Sequence, residues 1–73
     1  MDLNTREIST SDLIRVIMQV EHTNTVQLSK KLNTTPQNIY QRLKHGNFRE
    51  SDLSKIANAL GYDIFIEFVK RED

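Results

Sequence analysis

The apolar residues of the chain recur three and four positions apart in four successive blocks, the spacing that places side chains on one face of an α-helix. The blocks predict four helices, over residues of about 10–22, 25–32, 36–45 and 50–60. The inward residues expected in the two middle helices are pairs one turn apart: Leu28 with Leu32, and Ile39 with Leu43. The inward stripes expected in the outer two helices are Leu13, Ile14, Val16, Ile17 and Val20 in the first, and Leu53, Ile56, Ala57 and Leu60 in the fourth.

Residues that favour helix ends lie between these blocks. The expected helix starts are Ser9 or Ser11, then Thr23-Asn24-Thr25, and then Thr35 followed by Pro36, because their side chains cap free N–H groups or tolerate the first turn. The expected helix stops are Asn33, Gly46 and Gly61, which tolerate the left-handed backbone. The pattern therefore predicts a compact, mostly α-helical domain of four helices.

The spacing of the apolar residues changes after Gly61, and the side chains of residues 62–69 alternate between two faces in the pattern of a β-strand. A lone strand cannot pair its own backbone groups, so we expect it to pair with the same strand of a second copy. The residues expected at this dimer interface are Tyr62, Ile64, Phe65, Ile66, Phe68 and Val69. The alternatives are pairing with residues 1–8, which show no clear period, or a fifth short helix.

A length of 73 residues accommodates one domain, residues 1–73, and 37% hydrophobic with 27% charged residues is typical of a globular protein. No apolar run is long enough to span a bilayer, and the first residues lack the pattern of a secretory signal. The sequence contains no cysteine, which excludes disulfides and thiolate zinc sites. We therefore expect a cytoplasmic protein, stabilised in part by dimerisation because its core is small.

The formal net charge of zero conceals a segregation of the charges. Between His22 and Arg49 there are five basic residues and no acidic one, and the rest of the chain holds five basic and ten acidic residues. Such a basic block is typical of a surface that binds a polyanion. The alternative is chance clustering on a solvated surface.

The usual signatures of an enzyme are missing from the sequence. It has no cysteine nucleophile, no glycine-rich phosphate loop and no His/Asp/Glu cluster with metal-ligand spacing. Its two histidines, His22 and His45, are separated by two predicted helices. We therefore expect no enzymatic activity, no cofactor, no metal and no small-molecule ligand.

The two middle helices and their turn follow the pattern Leu28-Ser29-(x2)-Leu32-Asn33-Thr34-Thr35-(x3)-Ile39-(x3)-Leu43. This pattern resembles the helix-turn-helix of the lambda-repressor-like and Cro family, also called XRE, and the resemblance covers about residues 13–60. Ser29 matches the family's small residue where the helices cross, Thr35 its capping residue, and Ile39 its buried aliphatic residue. Two positions depart from the family, because Asn33 replaces the usual Gly and Thr34 replaces a hydrophobic residue.

A helix that reads the major groove presents short polar side chains, and glutamine and asparagine can pair with adenine through two hydrogen bonds. The residues expected to contact bases are Thr35, Pro36, Gln37, Asn38 and Gln41. Phosphate contacts are expected from Arg42, Lys44, His45, Asn47 and Arg49 at the end of this helix, from Tyr40 on its side, and from Asn24 and Thr25, which match phosphate-binding positions of the family. Tyr40 has a second interpretation, packing against a neighbouring helix, and each amide residue has a second one as an ordinary solvated side chain.

These features together predict a bacterial or phage transcription regulator that binds double-stranded DNA as a homodimer, with helix 36–45 in the major groove of a palindromic operator. Repression by occlusion is the simplest outcome, and activation is an alternative. A different class also fits the sequence: a helix-turn-helix module that binds another protein, such as an antirepressor or an antitoxin-like partner. RNA binding is a third interpretation, but the sequence lacks the aromatic platform that it usually requires.

Overall fold

The computed structural model describes residues 8–65 and 68–72. Within them the chain forms four α-helices: α1 (Thr10–Val20), α2 (Thr25–Lys31), α3 (Pro36–His45) and α4 (Glu50–Leu60). The four predicted helices are confirmed in number and order, and all four begin where the sequence indicates. The first two end slightly earlier than expected, at Val20 and Lys31. The protein is thus a small, mostly helical domain.

The helix boundaries follow from capping groups and left-handed residues. The Ser9 hydroxyl accepts the Asp12 N–H at 3.1 Å, and the Thr35 hydroxyl accepts the Asn38 N–H at 3.1 Å. Gly46 ends α3 at φ 70°, and Asn33 ends the second helical segment at φ 54°. The predicted left-handed role of Asn33 is therefore confirmed, and of the two serines considered for the first cap, Ser9 is the one that acts.

The core lies where all four helices meet. Its buried apolar residues are Ile14, Met18, Leu28, Ile39, Leu43, Ile56 and Leu60. Leu28 is fully buried at the centre, and α2 packs against both α3 and α4 while α1 packs against α3. This arrangement fixes α3 by one face and leaves its other face toward solvent.

The inward stripe of α1 differs from the sequence prediction. The buried side chains are Ser11, Ile14 and Met18, whereas Leu13 and Ile17 are half-buried and Val20 is 49% exposed. Residues 11, 14 and 18 are three and four positions apart, and Val20 is two residues past Met18, which places it about 200° around the helix. The expectation for Val20 was wrong because the strip that meets α3 is centred on Ile14 and Met18.

Ser29 lies on the buried face of α2, next to Leu28. Its side chain is 2% exposed, and its hydroxyl donates to the Val26 carbonyl at 2.7 Å. This bond satisfies the buried hydroxyl within its own helix, so it carries no uncompensated cost. The predicted need for a small residue at this position agrees with its burial.

The described part of the C-terminal segment, residues 62–65 and 68–72, contains neither helix nor strand. Its start is fixed, since the Tyr62 N–H donates to the Ala57 carbonyl at 2.8 Å and the Tyr62 hydroxyl donates to Glu21 Oε2 at 3.2 Å. Partial burial, together with that carboxylate, raises the pKa of Tyr62. The strand expected over 62–69 is not formed in the described residues of a single chain, and Ile66 lies outside them.

Large apolar side chains of this segment face solvent. Phe65 is 85% exposed, Phe68 101% and Val69 75%. Tyr62 and Ile64 are exposed to a lesser degree, at 37% each. A shallow apolar groove runs beside the segment between α1 and α4, and among its lining residues are Leu13, Ile17 and Leu53.

Among the described residues, no helix has the length and apolar character needed to cross a membrane.

Candidate nucleic-acid interface

The solvent face of α3 carries the two glutamines singled out by the sequence. Ile39 and Leu43 are buried on the inner face, and helical periodicity puts Gln37 and Gln41 on the opposite side, where both are exposed. In the described part of the chain, neither glutamine amide is hydrogen-bonded to another protein group. Lys44 extends the same exposed face toward the end of the helix. The result is a convex row of amides that is free to hydrogen-bond with an external partner.

Asn38 is exposed but differs from the two glutamines because it has a partner within the protein. Its Nδ2 donates to the Thr34 hydroxyl at 2.8 Å. This bond directs the amide toward the turn before α3 and the cleft between α3 and α4. The structure therefore separates Asn38 from the Gln37–Gln41 row.

The first residues of α3 are also accessible. Thr35 and Pro36 are both exposed. The Thr35 hydroxyl accepts the Asn38 N–H as the helix cap but keeps its own proton to donate, and the Thr35 methyl is also available to a partner. A methyl group and a proline ring are suited to apolar contact with a thymine methyl.

One flank of α3 meets α1 and the start of α2. Tyr40 is 58% exposed and lines a shallow concavity with Asn24 and Thr25. Arg15 and Gln19, on the outer face of α1, also line this concavity. Of the two interpretations of Tyr40, its exposure favours the accessible one, although its ring also borders α1. Sequence analysis missed Arg15 and Gln19 because α1 lies outside the helix-turn-helix pattern, and their position on the outer face of α1 was the only available signal.

Asn24 has fewer free groups than the sequence suggested. Its Oδ1 accepts the Gln27 N–H at 2.8 Å, and its own N–H donates to Gln27 Oε1 at 2.9 Å. This reciprocal capping box occupies both the side-chain oxygen and the backbone donor. The groups left at this corner include the Asn24 Nδ2, the Thr25 hydroxyl and the backbone N–H groups of Thr25 and Val26, which the first turn of a helix leaves without intrahelical partners.

The other flank of α3 faces the start of α4 across a polar cleft. The cleft is lined by Arg42, Gly46, Asn47, Phe48, Arg49, Ser51, Asp52 and Lys55. Three cations therefore surround it, of which Lys55 belongs to none of the sequence-predicted sites. Sequence analysis missed Lys55 because it lies in the acidic remainder of the chain and reaches this cleft only through the packing of α4.

Asp52 is the acidic residue of the cleft. Its Oδ2 accepts Arg42 Nη1 at 2.8 Å and the Arg49 backbone N–H at 3.1 Å. The backbone hydrogen bond is the main reason why the pKa of Asp52 lies below its ordinary value; partial burial opposes the shift, and the charge of Arg42 adds to it. Asp52 thus remains a carboxylate at neutral pH.

The other basic residues named at the end of α3 lie apart from the lysine of α2. Lys44 and His45 are exposed at the end of α3, close to the cleft residues Asn47 and Arg49, which are also exposed. Lys31 lies elsewhere, since its Nζ donates to the Ala59 carbonyl at 3.4 Å and so faces the end of α4. In the described residues, no group of three His, Cys, Asp or Glu side chains is arranged to hold a metal ion.

The arrangement is thus a helix with an exposed amide row, bordered on one side by a polar cleft and on the other by a concavity of mixed polar and apolar lining. Comparison of the chain with protein-family models, with curated proteins and with solved structures found no match.

Proposed function

We propose that the protein is a sequence-specific transcription regulator that binds double-stranded DNA, with α3 as its recognition helix. The observation that carries the proposal is the exposure of Gln37 and Gln41, one helical turn apart, on the face of α3 opposite the core. An α-helix fits the major groove, which is about 12 Å wide, and glutamine pairs with adenine N6 and N7 there. A solvated surface helix would more usually carry charges in such positions.

The two flanks of α3 suit the two DNA backbones that border a major groove. On one side Thr25 and Tyr40 lie beside Arg15, and on the other Arg42 and Arg49 lie beside Asn47. Phosphate contacts of this kind set the orientation of the protein and supply most of the affinity, while base contacts set the sequence. We include Lys44 and His45 among the phosphate contacts because they are exposed at the end of the same helix.

The resemblance to lambda-repressor-like and Cro proteins supports the same function, and the order of the four helices is compatible with it. We propose further that two copies associate through the C-terminal segment, where Phe65, Phe68 and Val69 are exposed. Two recognition helices would then reach successive major grooves about 34–36 Å apart on a palindromic operator. Occupancy of such an operator would repress transcription by occlusion.

The decisive experiment is selection of bound sequences from random duplex DNA by the full chain. The proposal predicts enrichment of a palindrome with adenines placed for contact by Gln37 and Gln41. It also predicts that affinity falls steeply as salt rises, with a slope set by the number of phosphate contacts. Failure to bind any duplex, even in dilute buffer, would contradict it.

A second candidate function is a protein-interaction module. The exposed Phe65 and Phe68 favour it, because large exposed apolar side chains are typical of protein contacts. Binding through this surface would depend little on salt, in contrast to binding through phosphates. The two candidates are therefore distinguished by measuring complex formation between about 50 and 200 mM salt.

A further inference from the structure

The cleft between α3 and α4 joins an anchored carboxylate to an accessible guanidinium. The Asp52 side chain is 21% exposed and that of Arg42 is 40% exposed. Asp52 is held at the start of its own helix by the Arg49 N–H, and it accepts Arg42 Nη1 through the same oxygen. Of the two partners, Asp52 is therefore the fixed one, and the ion pair restricts where the Arg42 side chain lies.

An arginine that is ion-paired through one of its nitrogen atoms can still bind an anion through the others. The guanidinium has five N–H donors in a rigid fork, and one bond to Asp52 leaves other donors for a phosphate. A long side chain that is already restricted loses less rotamer freedom when it binds than a free one does. The ion pair thus prepares Arg42 for a phosphate contact without consuming its donors.

We propose that Asp52 is a positioning residue for DNA binding, which keeps Arg42 on the α4 flank with its remaining donors available to a backbone phosphate. This inference rests on the proposed function. It assigns to Asp52, an acidic residue, a role that raises the affinity of the protein for DNA. Charge alone predicts the reverse, because a carboxylate repels a phosphate. The sign of the effect therefore separates positioning from simple electrostatics.

The test compares Asp52→Asn with Glu50→Gln as a matched control. Both substitutions remove one negative charge from the first turn of α4, but Glu50 is exposed and makes no ion pair in the described structure. The asparagine oxygen can still accept the Arg49 N–H, so the start of α4 is retained. We expect Asp52→Asn to weaken operator binding by about 3- to 10-fold and to flatten the salt slope, whereas Glu50→Gln binds as tightly as the unaltered protein or more tightly. In an Arg42→Ala background Asp52→Asn should cause no further weakening, because Asp52 has no arginine left to position.

A measurement without DNA tests the positioning step alone. The NMR order parameter of the Arg42 Nε–H should fall in Asp52→Asn and not in Glu50→Gln, while circular dichroism shows unchanged helix content. An unchanged order parameter overturns the positioning role, and so does an Asp52→Asn protein that binds operator as well as Glu50→Gln. Both results leave the proposed function intact. If the unaltered protein binds no duplex, the proposed function fails together with this inference.

Discussion

Asn38 is bonded through its side-chain amide to the hydroxyl of Thr34, four residues before it, at 2.8 Å. Gln37, the preceding residue on the same helix, faces solvent. Two adjacent amides on α3 thus have different roles available to them, since one is tied to the turn and the other is free. This difference can be tested by replacing each of the two residues with alanine and comparing the effects on DNA binding.

Gln37→Ala should cost about 1–3 kcal/mol of binding free energy on the selected operator and little on random DNA, because it removes a base contact and no phosphate contact. Asn38→Ala is the matched control and should cost less on the operator, because that amide is engaged by Thr34. Fluorescence anisotropy titrations with both duplexes measure the two losses. Equal losses of Gln37→Ala on operator and random DNA would show that Gln37 does not read a base.

Arg42→Ala should weaken binding to all sequences and reduce the slope of log affinity against log salt by about one. The reason is that one fewer phosphate is neutralised, so fewer counterions are released. Lys31→Ala removes a cation from α2 that faces α4, and it should leave the slope unchanged. Titrations at four or more salt concentrations provide the slopes, and an Arg42→Ala slope equal to that of the unaltered chain removes Arg42 from the phosphate contacts.

Phe68→Asp should convert a dimer into a monomer, because it puts a charge in an apolar surface that a second copy would bury. Val20→Asp changes another exposed apolar residue outside that segment and should leave the dimer intact. Light scattering after size-exclusion chromatography measures both masses. A Phe68→Asp protein that remains dimeric would place the interface elsewhere.

Ser29→Leu should destabilise the domain by about 1–3 kcal/mol, because there is no space for a larger side chain at a residue that is 2% exposed. Ser29→Ala should cost about 0.5–1.5 kcal/mol, since it loses only the hydrogen bond to the Val26 carbonyl. Urea denaturation followed by circular dichroism gives both values. The interpretation of close helix packing is incorrect if the leucine variant is as stable as the alanine variant.

The Asp52 carboxylate should contribute to the acid stability of the domain. Its pKa is lower in the folded protein than its ordinary value of 3.8, so its contribution is present above that pH and is lost as the pH falls through the lowered folded-state pKa. The melting temperature of Asp52→Asn should therefore lie below that of the unaltered chain at neutral pH, and the difference should vanish in strong acid. A difference that is the same at all pH values would rule out the ionised carboxylate as its origin.

The helix boundaries could be predicted because they depend on local chemistry. Thr35 and Pro36 start α3, and Gly46 and Asn33 supply left-handed backbone, whatever the rest of the fold does. The buried face of α1 was predicted less well, because Leu13, Ile14, Ile17 and Met18 are all apolar and only the position of α3 selects among them. When apolar residues cover much of a helix surface, the sequence therefore predicts the buried face only to within the rotation of about one residue, roughly 100°.

In the candidate site, too, the residues fixed by local sequence could be predicted and those that depend on tertiary packing could not. Gln37 and Gln41 could be identified because the inward pair Ile39 and Leu43 fixes the opposite face of α3. Partners distant in sequence gave no signal: Arg42 meets Asp52 only because the packing of α4 against α2 brings the first turn of α4 beside α3. The strand predicted for residues 62–69 is not formed in the described part of the segment, and a lone strand would leave its backbone groups without partners.

If two copies associate through the C-terminal segment as proposed, the anchoring of Tyr62 to Glu21 and to the end of α4 would affect the spacing of half-sites that the pair can bind. Because the segment starts in each domain from a fixed point beside α1 and α4, the exposed faces of α3 in two joined copies would be restricted in their separation. A single base pair inserted at the centre of the operator would turn one half-site by roughly a tenth of a helical turn relative to the other. The affinity of such a dimer would therefore depend on the spacing between the two half-sites as well as on their base sequence.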